Sequence, residues 1–305
     1  MERPADGAVN TAMIGQIRSF NRTVTQRIGA LHEDFLARDR PLAQSRLLWE
    51  IGSAGTDVRL LRWRLDLDSG YLSRLLRSLE QQQLVSVEPS ESDARIRTVR
   101  LTARGLAERA ELDARSDAAA QAILDPLTPQ QRASLAAAMA DVERLLVAST
   151  VTIGPVDPSH PDARSCLRAY FAELARRFEH GFDPDLSTPA ADSELSPPSG
   201  LFLVASLHGE PVGCGALRFR PGEPADIKRM WVGEAVRGLG LGRRILADLE
   251  AHAQARGASV VRLETNRTLT EAIALYRGAG YREVAAFNAE PYAHHWFEKE
   301  LGAGA

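Results

Sequence analysis

The chain has 305 residues, 44% hydrophobic and 25% charged, with a formal net charge of −3: an ordinary soluble composition with room for two domains. That charge does not by itself mark a nucleic-acid binder, yet residues 40–104 carry 11 Arg against 8 acidic residues, a local excess of the sign DNA attracts. Cys166 and Cys214 stand far apart without metal-ligand spacing, no apolar run approaches roughly 18 residues, and Met1-Glu2-Arg3-Pro4 lacks a signal-peptide pattern, so a reduced cytoplasmic setting with no metal and no membrane span is expected.

Met13, Ile17, Phe20, Val24, Ile28, Leu31 and Phe35 recur at steps of three or four, which predicts a helix with one apolar stripe. The stripe needs a partner, either the rest of its own domain or a second copy of the chain. After Pro41, Leu47, Leu48 and Ile51 mark a second helix ending near Gly52. Thr56 is placed to cap a third helix over 57–64, with Val58, Leu61 and Leu65 inward. A short turn at 66–68 leads to a fourth over 69–82, with Leu72, Leu75, Leu76 and Leu79 inward. Two helices joined by so short a turn form a helix-turn-helix. The outward face of the fourth carries Ser69, Gly70, Tyr71, Ser73, Arg74, Arg77 and Ser78, small or donor-rich side chains suited to phosphates and base edges. Alternating segments at 84–89 and 96–101 predict a β-hairpin bearing Arg95, Arg97 and Arg100. Helices over 106–124 and 130–147 follow, split by Asp125-Pro126-Leu127-Thr128-Pro129.

These residues resemble the MarR family of winged-helix regulators. Leu67-Asp68-Ser69-Gly70-Tyr71-Leu72-Ser73-Arg74-Leu75-Leu76 is similar to its recognition helix, Asp93-Ala94-Arg95 to the Asp-x-Arg of its wing, and Leu101-Thr102-Ala103-Arg104-Gly105 to the exit from the wing. Gln83 departs from the pattern, standing where such proteins often have Gly. The resemblance implies a mainly helical winged helix-turn-helix domain over 1–150. It also implies homodimerisation through the terminal helices and binding of a pseudo-palindromic double-stranded DNA through Ser69, Gly70, Tyr71, Ser73, Arg74, Arg77, Asp93, Arg95 and Arg97. A winged helix used to meet protein instead stays open.

Beyond residue 150 the pattern changes. A strand at 151–153, a Pro-rich boundary, a helix over 163–178 and a Pro, Ser and Asp-rich loop over 183–199 precede a hairpin of 201–206 and 212–219. Strand 227–232, the run Arg237-Gly238-Leu239-Gly240-Leu241-Gly242, a helix over 243–256, strand 260–265, a helix over 270–279 and a last strand near 295–300 follow. Glycines at a strand-to-helix junction let backbone N–H groups approach an anion, and the helix N-terminus adds partial positive charge. A dinucleotide fingerprint would need a third glycine where Arg243 stands. The spacing Arg237, Gly240, Gly242 instead resembles the acyl-CoA loop of the GNAT acetyltransferases. Lys228-Arg229-Met230-Trp231-Val232 is similar to the family's splayed strand, Leu263-Glu264-Thr265-Asn266 to its next strand, and Glu271-Ala272-Ile273-Ala274-Leu275-Tyr276-Arg277-x-x-Gly280-Tyr281 to the helix closing the cofactor site.

The resemblance implies an α/β acyltransferase domain with a mixed sheet over 151–305. Acetyl-CoA would be held by Met230, Trp231, Val232, Arg237, Gly238, Leu239, Gly240, Leu241, Gly242, Arg243, Asn266 and Tyr276. An amine, of a small molecule or a protein lysine, would be the acceptor. Attack on the thioester needs a donor for the developing oxyanion, for which the N–H of Met230 or Val232 serves, and a proton for the departing thiolate, for which Tyr276 serves. Glu264 is a candidate base, a solvent water relay would also serve, and Glu264 would then orient Lys228 or Arg229. His294 and His295 are adjacent on a strand, so at most one of them can face the site. The reading is a DNA-binding regulator that also acetylates an amine. Its rival is a regulator that senses acetyl-CoA without turnover.

Overall fold

A computed structural model describes residues 11–28, 36, 40–89, 96–187 and 191–302. The chain divides into two compact units, residues 1–138 and 139–305.

In the first unit α1 (Thr11–Arg27) buries none of its residues. Met13, Ile17 and Phe20 are exposed and Val24 is half-buried; Leu31 and Phe35 lie outside the described residues. The unit's core is a leucine cluster instead, in which α2 (Leu42–Ile51) contributes Leu47, Leu48 and Ile51. Thr56 does not cap α3: residues Thr56–Asp57 form the short strand β1, paired to β3 (Arg97–Leu101). The cap is the Asp57 carboxylate, which accepts from the Arg59 N–H at 2.6 Å and starts α3 at Val58–Leu65. Asp66, left-handed at φ 49°, ends it. Asp68 then caps α4 (Ser69–Gln81), its Oδ1 accepting from the Tyr71 N–H at 2.9 Å. Leu72, Leu75, Leu76 and Leu79 are all buried beneath α4, as their spacing predicts.

Gln83 has φ 58°. Its N–H donates to Glu80 O at 2.8 Å and the Leu84 N–H to Leu79 O at 3.0 Å, the paired bonds of a Schellman stop whose left-handed residue is usually glycine. The backbone of this turn is thus the glycine backbone with a side chain carried at a cost. β2 (Val85–Pro89) pairs antiparallel with β3 in the expected hairpin. Its tip, including Asp93 and Arg95, lies outside the described residues. α5 (Ala103–Leu124) starts three residues earlier than its apolar pattern, because Thr102 Oγ1 accepts from the Gly105 N–H at 3.0 Å. α6 (Pro129–Thr150) buries no side chain and exposes Leu145 and Leu146.

The second unit is built on a seven-stranded mixed sheet. Its strands are β4 (Thr152–Pro155), β5 (Gly200–Leu207), β6 (Glu210–Arg218), β7 (Ala225–Val232), β8 (Val260–Thr265), β9 (Arg282–Val284) and β10 (His295–Glu300), in the order β4-β5-β6-β7-β8-β10-β9. Only β7 and β8 run parallel, and they pair only at Ala225↔Val261 and Asp226↔Arg262. β9 has no counterpart in the sequence expectations, since three residues carry no period. Helices α7 (Pro161–Arg177), α8 (Leu241–Ala255) and α9 (Thr270–Gly278) surround the sheet. Ile245, Leu246 and Leu249 of α8 pack with Leu203, Leu217, Ile227, Leu263 and Phe297, all nearly inaccessible to water. Among the described residues, no helix is long and apolar enough to cross a membrane.

An ionic hub closes the last rung that β7 and β8 share. Asp226, buried, accepts from Arg262 Nε at 2.7 Å, Arg218 Nη2 at 3.0 Å and Arg220 Nη2 at 2.9 Å. Burial pushes its carboxyl up, but Arg262 and Arg218 outweigh burial and hold it below the usual carboxylate range. Three strands are thus tied together where the sheet is about to part.

Candidate functional site

Past Asp226 the two strands separate and leave a gap between them. β7 carries a bulge here: Cys214 pairs with Trp231 and Ala216 with Lys228, so Arg229 and Met230 together face Gly215. Arg229 takes the bulge's left-handed position, φ 55°, and its carbonyl accepts from Cys214 Sγ at 3.2 Å. The Gly233 N–H donates to Val212 O at 2.9 Å, so that residue faces β6. Val232, one residue back, turns the other way; its carbonyl accepts from Arg237 Nε at 3.1 Å, and its N–H shares that side, toward the opened edge.

Two cavities occupy the gap. The larger, about 500 Å³, runs from the Met230–Val232 edge past Arg237 and the glycines to Leu275 and Tyr276. Of the twelve residues expected to hold the cofactor, ten line it: Met230, Trp231, Val232, Arg237, Gly238, Gly240, Leu241, Gly242, Arg243 and Tyr276. Leu239 does not, because its side chain packs on the apolar core. Asn266 lies instead on the smaller cavity, with its amide engaged in holding the backbone: Nδ2 donates to Tyr292 O at 2.7 Å and Oδ1 accepts from the Thr268 N–H at 3.0 Å.

The loop fits a phosphate-bearing chain. Gly238 and Gly240 have φ of 80° and 73°, and a Cβ at either would point into open space. Gly240 precedes α8, whose first-turn N–H groups have no acceptor within the helix. At Gly242 a Cβ would stand 3.3 Å from Leu275, so glycine is what admits α9 so close.

The smaller cavity, about 100 Å³, shares Tyr170, Leu174, Met230, Leu269, Ala272 and Tyr276 with the larger one. Tyr276 is buried, its hydroxyl 3.9 Å from Met230 Sδ. Burial, with Tyr170 and Glu264 nearby, pushes that phenol well above its ordinary value, so it keeps its proton. Burial likewise pushes Tyr170 up to about 12. Glu264 lies in the smaller cavity but is not unengaged: Lys228 Nζ sits directly on its Oε1, and Asn288 Nδ2 donates to Oε2 at 3.4 Å. Neither His294 nor His295 lines either cavity; His295 Nδ1 contacts Glu283 Oε1 at 2.6 Å.

Glu173 on α7 was not among the expected site residues. Buried, its Oε2 accepts from Arg237 Nη2 at 2.5 Å and Trp231 Nε1 at 2.8 Å, and Oε1 from Arg177 Nη1 at 3.3 Å. The first residue of the glycine motif is therefore anchored by a carboxylate from another helix. A lone Glu four residues before an Arg was the only local signal. The aromatic wall of the smaller cavity was missed as well: Phe182 stands 4.9 Å from Tyr292 and 5.8 Å from Phe178, centroid to centroid.

In the first unit, Ser69, Gly70, Ser73, Arg74 and Arg77 are exposed along α4, and Arg97 is exposed on β3. Tyr71 is half-buried against the leucine core, with the Arg74 guanidinium 5.7 Å from its ring centroid. Arg100 is spent locally, donating to Ala54 O at 2.8 Å.

Comparison with known proteins agrees with both halves. The pattern of the acetyltransferase (GNAT) family matches residues 167–281, and that of the MarR family residues 39–96. An IAA acetyltransferase of Azospirillum brasilense is 40% identical over 99 residues, 32% of this chain and 63% of that protein, so the chain spans less than two thirds of its length. An uncharacterized N-acetyltransferase of Schizosaccharomyces pombe is 31% identical over 41% of this chain and 79% of its own. A GNAT-family acetyltransferase structure from Staphylococcus aureus, 18% identical, covers 50% of this chain and 99% of its own at a TM-score of 0.43. GNAT acetyltransferases use acetyl-CoA. The chain belongs to the GNAT acetyltransferase family, with a MarR-family domain joined ahead of the acetyltransferase domain in the same polypeptide.

Proposed function

We propose that the chain is a DNA-binding regulator that also transfers an acetyl group from acetyl-CoA to an amine. The observation that carries the enzymatic part is the shared wall: one cavity holds the glycine loop, the other holds charged and aromatic side chains, and they meet at Met230 and Tyr276. Acetyl-CoA, when bound, supplies an activated acyl thioester. The chain's own groups do the rest. First-turn N–H groups of α8 and the loop at 238–242 bind phosphate, while Glu173 fixes Arg237 beside it. The Val232 N–H faces the opened edge as a donor to a developing oxyanion. Tyr276, kept protonated by burial, gives up its proton to the leaving sulfur. Lys228 occupies Glu264, which supports a positioning role for that carboxylate and loss of the amine proton to water.

The regulatory part rests on α4. Its exposed Ser69, Ser73, Arg74 and Arg77 form a donor-rich face on a buried leucine base, suited to a DNA groove, and the exposed Ile17 and Phe20 of α1 support pairing with a second copy. Two assays test the reading. Incubation with acetyl-CoA and a panel of amines is expected to release free thiol in step with N-acetylated product; tight acetyl-CoA binding with no turnover contradicts it. Binding to double-stranded DNA is expected to weaken steeply with salt, and a salt-independent affinity contradicts the DNA-binding part.

A further inference from the structure

The smaller cavity contains two cations and two carboxylates, and they are not equally committed. Lys228 and Glu264 close on each other. Glu290 accepts from the Ser187 hydroxyl at 3.0 Å and the Tyr292 N–H at 3.3 Å. Arg229 lines the cavity too, yet among the described residues its guanidinium meets no carboxylate; it stacks 4.9 Å over the Phe171 ring. A planar cation fixed on an aromatic face keeps its N–H edge available, and a guanidinium edge matches a carboxylate with two parallel hydrogen bonds. The bulge puts Arg229 there: its left-handed backbone is one that an arginine side chain rarely adopts, next to Met230 at the wall between the cavities. Beside it, Phe182, Phe178 and Tyr292 make an apolar surface.

We propose that the acceptor is a small amine that carries a carboxylate on an apolar or aromatic body, an amino acid or close analogue, with its carboxylate on the Arg229 guanidinium and its body against Phe182 and Tyr292. This rests on the acetyltransferase reading, because it names what enters the second cavity. The smaller cavity joins the larger one at Met230 and Tyr276, and its lining offers such a molecule a cation for the carboxylate and aromatic rings for the body.

Matched pairs differing only in the carboxylate test it: phenylalanine against phenethylamine, and leucine against isoamylamine. With acetyl-CoA, each amino acid is expected to show a kcat/KM at least tenfold above its decarboxylated partner. Arg229→Gln, which keeps an unbranched side chain at the bulge, is expected to remove that preference by raising KM for the amino acids, with the amines little changed. Arg229→Lys is expected to restore part of it. Titration of the N-acetylated pairs into the protein with CoA reads the same preference without turnover. Absence of turnover with every acceptor would count against the acetyltransferase reading alone, whereas equal or inverted preference in the titration, or a preference that survives Arg229→Gln, overturns the carboxylate assignment.

Discussion

In the N-terminal unit the groups expected to meet a ligand are exposed side chains of α4, standing on a face whose leucines are buried. In the C-terminal unit they are backbone N–H groups and buried side chains, held in a gap that opens only because β7 and β8 stop pairing after Asp226. A surface reader needs the right side chains at helical spacing, and its scaffold tolerates much variation elsewhere. A site made by parting a sheet needs the parting held at both ends, so residues that touch no ligand become as decisive as those that do.

If that contrast is right, the largest effect comes from the hub. Asp226→Asn removes the buried carboxylate charge that Arg218, Arg220 and Arg262 share and is expected to cost about 3–5 kcal/mol in the unfolding of the C-terminal unit, measured by chemical denaturation of the full chain. The sign of the pH dependence follows. Asp226 titrates below its unfolded value, so its contribution is complete above about pH 4 and fades as pH falls through the folded value; the Asn variant loses that part of the acid sensitivity. By contrast, Arg74→Ala with Arg77→Ala is expected to leave stability within about 0.5 kcal/mol, yet to weaken DNA binding and lower the salt slope by about 2. An unchanged slope would place the DNA elsewhere.

A smaller effect separates anchoring from contact. Glu173→Gln loosens Arg237 and Trp231 together and is expected to raise the acetyl-CoA dissociation constant about tenfold, by titration calorimetry. No change would mean Arg237 holds its place without the carboxylate. Smallest of all, Gln83→Gly relieves a left-handed turn at the end of α4 and is expected to stabilise the N-terminal unit by about 0.5–1 kcal/mol in thermal unfolding. A destabilised variant would show that the Gln83 side chain contributes more than its backbone costs.

The same contrast explains what the sequence made legible. Leu72, Leu75, Leu76 and Leu79 announce a helix and its inner face, and 237–242 announces an anion loop, because side-chain period and glycine freedom are local properties. β1 and β9 were invisible at two and three residues, and the Thr56 cap was misplaced because Asp57, one step later, competes for the same role. The bulge at Arg229 depends on the register of β6 against β7, and Glu173 finds its partners 58 and 64 residues away. Asn266 shows the converse: a residue legible from its motif has an amide engaged in the fold.

The central claim is that Tyr276 stands where donor and acceptor cavities meet and protonates the leaving thiolate. Thiol release by Tyr276→Phe, read with an acceptor that the wild-type chain turns over and beside acetyl-CoA binding by titration, tests it most directly. The account predicts a fall in kcat of at least about a hundredfold with the dissociation constant within about threefold. A variant that turns over at the wild-type rate would contradict it.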